Sequence, residues 1–194
     1  MVTFGETGAG AGNVTIANGR IAGGKFTCPE AGTADSISFR TSGDGAAHDY
    51  KCALYKASDM SLVKATEENN ATFHAWNVDY TCNFLAVKPT LSAQDYIIAA
   101  WVDAAHDISY SWSGTRLIRY DDEAYDGFPA TFADSELAQD AKLMTIYCTY
   151  TAGGGVTVKK GGNSALLQAF LSGRFFSRFD PISRFPRFIP RTVI

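Results

Sequence analysis

An antiparallel β-sandwich is the fold class predicted for residues 1–152 of this 194-residue chain. Three observations predict it. Apolar residues recur with period 2 in segment after segment, while sustained helical periodicity is absent before residue 160. These segments are short, and clusters of Gly, Asn, Asp and Pro separate them with residues that tolerate tight turns. Their spacing suits two stacked sheets, and 46% hydrophobic residues are enough to fill a core between them.

Ser36-Ile37-Ser38-Phe39-Arg40 alternates cleanly. Across residues 49–56, Tyr50, Cys52 and Leu54 share one face, and mostly polar groups are expected on the other. Val78, Tyr80, Cys82 and Phe84 form the next inward row. Residues 95–102 (DYIIAAWV) are apolar on both faces, which suits a central strand. Met144, Ile146, Cys148 and Tyr150 give a further inward row, opposite Thr145, Tyr147 and Thr149. Turns are expected at Asn18-Gly19, residues 42–45, Glu68-Asn69-Asn70 and Lys88-Pro89-Thr90. Residues 119–137 are the longest irregular stretch and are expected to form a loop at one end of the sandwich, carrying a solvated acidic run.

The remainder of the chain differs in character. Glycines bracket VTVKK, so residues 153–163 read as a Gly-rich hinge. Residues 164–194 read as a basic aromatic arm. Asn163 or Ser164 can cap a short helix in which Leu167, Leu171, Phe175 and Phe179 follow at i+4 steps, with Leu166 and Phe170 one face over. Gly173 weakens this helix by about 1 kcal/mol relative to Ala. Pro181 ends it, and Pro186 and Pro190 keep the last residues extended. From Gly155 onward there are seven Lys and Arg against one acid, whereas ten Lys and Arg face 19 acids before it. A body of net charge about −9 therefore carries an arm of about +6, and the arm holds six of the 13 Phe.

A resemblance joins these readings. The opening TFGETGAG, the run GKFTCPEAGT leading into SISF, and the later KCALYKASDMSLVKAT and LSAQDYIIAAWVD segments resemble a recurring β-sandwich module. It is similar to jelly-roll, carbohydrate-binding-like domains of phage and prophage structural proteins and of some microbial surface proteins. The resemblance spans residues 3–151 and rests on segment order. It implies a jelly-roll topology and a non-enzymatic protein associated with a particle or surface.

Catalytic and metal-binding patterns point elsewhere than to an enzyme. There is no GxSxG, P-loop, HExxH or paired-Glu context. His48, His74 and His106 lie in or beside turns and read as solvated residues. Cys28, Cys52, Cys82 and Cys148 read as small core residues; a disulfide among them stays open, and the absence of CxxC argues against zinc. The only cofactor candidate is calcium, for which Asp121, Asp122 and Asp126 offer hard oxygen ligands without the EF-hand pattern. Trp76, Trp101 and Trp112 are the tryptophan candidates for stacking on a sugar, although Trp101, in the most apolar strand, is expected in the core. Trp112, at a strand end, is expected to be exposed, and with Tyr110 and Tyr125 it forms a candidate sugar-stacking platform. Asn13 and Asn70 begin N-glycosylation patterns, but MVTFGETGAG shows no secretory signal. No stretch approaches the roughly 20 apolar residues of a membrane span.

Four roles for the arm compete: binding nucleic acid, lying on a membrane surface, covering its own sandwich, or docking on a neighbouring subunit. Only seven cations on a mostly apolar arm argue against nucleic acid, and a short, glycine-interrupted helix argues against a membrane surface. The expected function is a structural subunit without catalytic activity that forms homo-oligomers in a virion, phage head or tail, or extracellular filament. Leu167, Phe170, Leu171, Phe175, Phe176, Phe179, Phe185, Phe188 and Ile189 are the expected anchors, oriented by Arg174, Arg178, Arg184, Arg187 and Arg191. Other particle proteins and surface glycans are further expected partners. The alternative from another class is a glycan-binding module.

Overall fold

The computed structural model describes residues 1–43, 45–74, 78–112, 118–133 and 142–153. Apart from Gly153, the expected hinge and the entire arm, with its short helix, lie outside the described residues, as does Trp76. The described residues are all-β. In chain order the strands are β1 (Val2–Gly5), β2 (Gly12–Ile16), β3 (Arg20–Thr27), β4 (Gly32–Ser42) and β5 (Ala47–Lys56). There follow β6 (Leu62–Ala65), β7 (Asn69–Thr72), β8 (Val78–Asn83), β9 (Thr90–Leu91) and β10 (Asp95–Val102). The series closes with β11 (His106–Trp112), β12 (Ile118–Asp122), β13 (Lys142–Met144) and β14 (Ile146–Ala152).

These strands form two antiparallel sheets. In the first, β14 lies between β1 and β4, while β8 and β9 pair with β4. β11 extends this sheet by pairing with the end of β4 and with β2 and β13. The second sheet runs β12–β3–β10–β5, and β6 and β7 both pair with β5. The sheets face one another across a shared core. Phe4, Ile37, Phe39, Cys148 and Tyr150 come from the first sheet, and Cys52, Leu54, Ile98 and Ala100 from the second. Strict alternation places these residues on one face of their strands, so burying that face fixes the register. Phe39, Tyr50, Phe73 and Tyr80 pack edge-on or tilted within it, with Phe73 and Tyr80 closest at 4.4 Å between ring centres.

A second core lies on the opposite face of the second sheet. Ile21, Ala53, Tyr55, Ile97, Ala99 and Trp101 are fully buried there beneath Phe132, with Tyr125 and Phe128 packed alongside. Residues 119–137 were expected to form a loop at the end of the sandwich with a solvated acidic run. Instead residues 118–122 are strand β12, and residues 123–133 lie as a strap along the outer face of this sheet. Backbone bonds fix the strap: Leu62 donates to the Ala130 carbonyl and Phe132 to the Met60 carbonyl, both at 2.9 Å. The physical reason is that Tyr125, Phe128 and Phe132 each gain on the order of 1.5–3 kcal/mol from burial, which an end loop would forgo.

The strap also corrects the expected polar face of β5. Lys51, Ala53 and Tyr55, opposite Tyr50 and Leu54, are all buried because the strap covers them. β10 is apolar on both faces, as its sequence predicts, because it is central in a sheet covered on both sides. Two smaller expectations fail. Asn69 and Asn70 belong to β7, paired with Tyr50 and Asp49, rather than to a turn. Val78, expected inward, is 38% exposed at the end of β8. All four cysteines are free and buried.

Candidate functional site

Two surface features carry chemistry, and the sheets position both. The first is the end of β11. Alternation along HDISYSW turns Ile108, Tyr110 and Trp112 to the side of the shared core, but Trp112 projects beyond it and is 64% exposed. Tyr110 meets Trp112 edge-on with ring centres 5.2 Å apart, and the Lys142 ammonium lies 4.8 Å from the Tyr110 ring centre. Tyr110 and Trp112 therefore come together as expected. Tyr125 does not join them, since it packs against Trp101 on the outer face of the second sheet, with ring centres 5.2 Å apart. The strap that places it there has no signal in the local pattern.

The outer face of the first sheet adds a connected polar surface. Arg40 donates from Nε and Nη2 to the two oxygens of Asp79, at 2.7 and 3.1 Å, and from Nη1 to the Gly8 carbonyl at 3.0 Å. The Tyr147 hydroxyl donates to Asp79 at 3.3 Å. The Glu6 carboxylate accepts from the Gly8 N–H at 2.8 Å and from the Ser111 hydroxyl at 3.3 Å. The hydrogen bonds to Asp79 raise the Arg40 pKa above its ordinary value, and the bidentate pairing fixes the fork in place.

The calcium candidates do not converge. Asp121 is buried and accepts from the Ala133 N–H at 2.8 Å; Asp122 pairs with Arg20 at 2.6 Å. Asp126 turns back to the Gly127 N–H. Among the described residues no three His, Cys, Asp or Glu side chains gather as a metal site.

The second feature lies at the other end of β11. Here Thr15, Ser42, Gly43, Phe73, Ala105, His106 and Asp107 line a cleft of about 200 Å³. The expectation of solvated histidines holds for exposed His74 and fails for His48 and His106, each only 6% exposed. Both are strand residues covered by neighbouring elements: the His48 ring packs 5.0 Å from that of Phe73. His48 Nδ1 is 3.2 Å from the Asp103 carboxylate. His106 Nδ1 lies 3.0 Å from the Ala104 carbonyl, which can only accept, so Nδ1 carries the hydrogen and Nε2 is a bare acceptor. That Nε2 has no partner. Burial drives the His106 pKa down to about 4, with nearby His48 adding to the fall, so the ring is neutral near pH 7.

Lys51 was also missed by sequence reasoning. Its ammonium is buried under the Tyr125 and Trp101 rings, 4.1 and 4.9 Å from their centres. It donates to the Asp126 carbonyl at 2.7 Å and lies 3.6 Å from Glu68. A single cation between Tyr50 and Cys52 in a strand gives no local sign of this role. The expected assembly residues, from Leu167 to Arg191, all lie outside the described residues.

No protein-family model and no curated protein matches this chain.

Proposed function

We propose that this chain is a non-catalytic structural subunit, a sandwich of jelly-roll type that self-assembles through residues 164–194. The assembly would be a virus-like particle, a phage head or tail, or an extracellular filament. The observation that carries this reading is the segregation of charge and aromatic residues. The residues before Gly155 carry a net charge of about −9, whereas those from Gly155 onward carry about +6 and hold six Phe among their cations. Such asymmetry favours a head-to-tail contact between copies, which closes into rings or propagates as filaments. Burying even four Phe offers on the order of 6–12 kcal/mol before ordering costs, whereas arginines pairing at a wet rim add register more than affinity.

Electron microscopy and light scattering on the full chain and on a chain ending at Gly153 test this reading. Ordered assemblies from the full chain and a folded monomer from the shorter one are expected. Identical monomers from both would overturn it. Because burial of Phe dominates, assemblies should also persist at about 0.5 M salt, where charge attraction is screened beyond a few ångströms.

A second reading, glycan binding, is favoured by the exposed Trp112 ring beside Tyr110 and the polar groups of Glu6 and Ser111. An exposed indole offers a face on which a sugar ring can stack. Glycan-array binding that Trp112→Ala abolishes would support it, and a blank array with the intact protein would refute it.

A further inference from the structure

Cys52 and Cys82 are both fully buried in the shared core, yet they come from different sheets, Cys52 from β5 and Cys82 from β8. The connection between β6 and β7 brings the two strands together. The Thr66 N–H donates to the Cys52 carbonyl at 2.8 Å, and the Thr66 hydroxyl accepts from the Cys52 N–H at 2.9 Å. The next residue, Glu67, donates its N–H to the Asn83 carbonyl at 3.3 Å. Two adjacent residues thus tie Cys52 to the chain neighbour of Cys82. Polar groups gather around the Cys82 sulfur: the Thr66 hydroxyl, and the Asn69 amide, whose Nδ2 is buried without a hydrogen-bond partner. The neighbouring Cys52, with Asn69 and Thr66, holds the Cys82 thiol below its ordinary pKa, whereas burial pushes that of Cys52 well up. The other thiols are placed differently. Ile37 pairs with Cys82 on one side and with Cys148 on the other, which sets those two cysteines about 9–10 Å apart, beyond the roughly 7 Å that a disulfide spans. The Cys28 thiol donates to the Glu30 carbonyl at 3.1 Å.

We propose that Cys52 and Cys82 form a redox modification site, which closes on oxidation into a disulfide that ties the two sheets together. The inference is independent of the assembly and glycan readings. The co-reactant is a small disulfide such as oxidised glutathione. The Cys82 thiolate attacks one of its sulfurs and releases one glutathione thiolate, which takes up a proton. Cys52, giving up its own proton, then attacks the Cys82 sulfur and releases the second glutathione. One protein disulfide forms, and the glutathione disulfide gains the two electrons and two protons that the protein thiols lose. Because both sulfurs are buried, the exchange takes place while the chain folds or opens. The link closes a loop of about 30 residues, which removes freedom from the unfolded chain and so stabilises the fold. The redox poise of the surroundings then selects between a reduced sandwich and a tied, more stable one.

The test refolds the full chain from urea in buffers of increasing oxidised-to-reduced glutathione ratio, then blocks free thiols with iodoacetamide under denaturing conditions. Trypsin places the four cysteines in separate peptides, so mass spectrometry identifies every pair. The expected product links the Cys52 and Cys82 peptides and leaves Cys28 and Cys148 alkylated. Its thermal midpoint should lie roughly 7–15 °C above that of the same protein in dithiothreitol. Cys148→Ala should keep both the link and the rise, and Cys82→Ala should lose both. Four alkylated cysteines at every ratio would overturn the proposal. So would links that join other pairs, or a Cys52–Cys82 link that leaves the midpoint unchanged. The comparison of the intact chain with and without dithiothreitol decides even where Cys82→Ala does not fold.

Discussion

His106 shows how one residue links burial to pH. Its folded pKa of about 4 lies below the ordinary value of 6.5. The unfolded chain therefore binds the proton more readily between those values, and stability is lost as pH falls from about 6.5 to about 4. The loss approaches 3 kcal/mol, on the order expected for a shift of this size. Thermal melts at pH 7 and pH 5 should show a fall in the midpoint that His106→Gln flattens; an unchanged slope in the variant would assign the fall to other groups. Lys51 is buried as well, and its ammonium is satisfied by the Asp126 carbonyl and two aromatic faces. Lys51→Met keeps the apolar stem but orphans that carbonyl. It should cost about 1–3 kcal/mol in urea unfolding and speed chymotrypsin cleavage at Tyr125 or Phe132.

At the scale of elements, the strap and β3 set the tightest demands. Removing the Phe132 ring would open a cavity over Tyr55 and Trp101, so Phe132→Ala should cost about 3–5 kcal/mol in equilibrium unfolding. β3 pairs side by side with β10, with Gly23 opposite Ala99. A Cβ at Gly23 would meet the Ile98 carbonyl at 2.8 Å and the Ala99 Cβ at 3.2 Å. Gly23→Ala should therefore lower the unfolding midpoint by the equivalent of about 1–3 kcal/mol. These elements also explain what was legible in the sequence. β10 reads correctly because burial on both faces leaves an unbroken apolar run. β5 reads correctly on its Tyr50–Cys52–Leu54 face and wrongly on the other, since a strap about 70 residues away covers Lys51 and Tyr55. β3 and β11 give little signal, because paired glycines and alternating polar groups mask their strand character. The exposed Trp112 was legible from its place at a strand end. The His106 cleft was not, because β2, β4, β11 and Phe73 meet there only in the folded chain.

For the whole molecule, the two cores divide the labour. The shared core joins the sheets, and the outer core ties residues 123–133 to the second sheet, so among the described residues that sheet is covered on both faces while the first presents a polar outer surface. The outer face of the first sheet presents fixed hydrogen-bonding groups, Arg40 and Asp79 foremost. The four buried thiols have one more consequence. Burial raises the pKa of Cys28, Cys52 and Cys148, whereas the neighbouring Cys52 lowers that of Cys82. A thiol reagent can reach these sulfurs only when the sheets part, so the chain carries its own stopwatch for opening: under native conditions the rate of alkylation reads how often the sandwich comes apart.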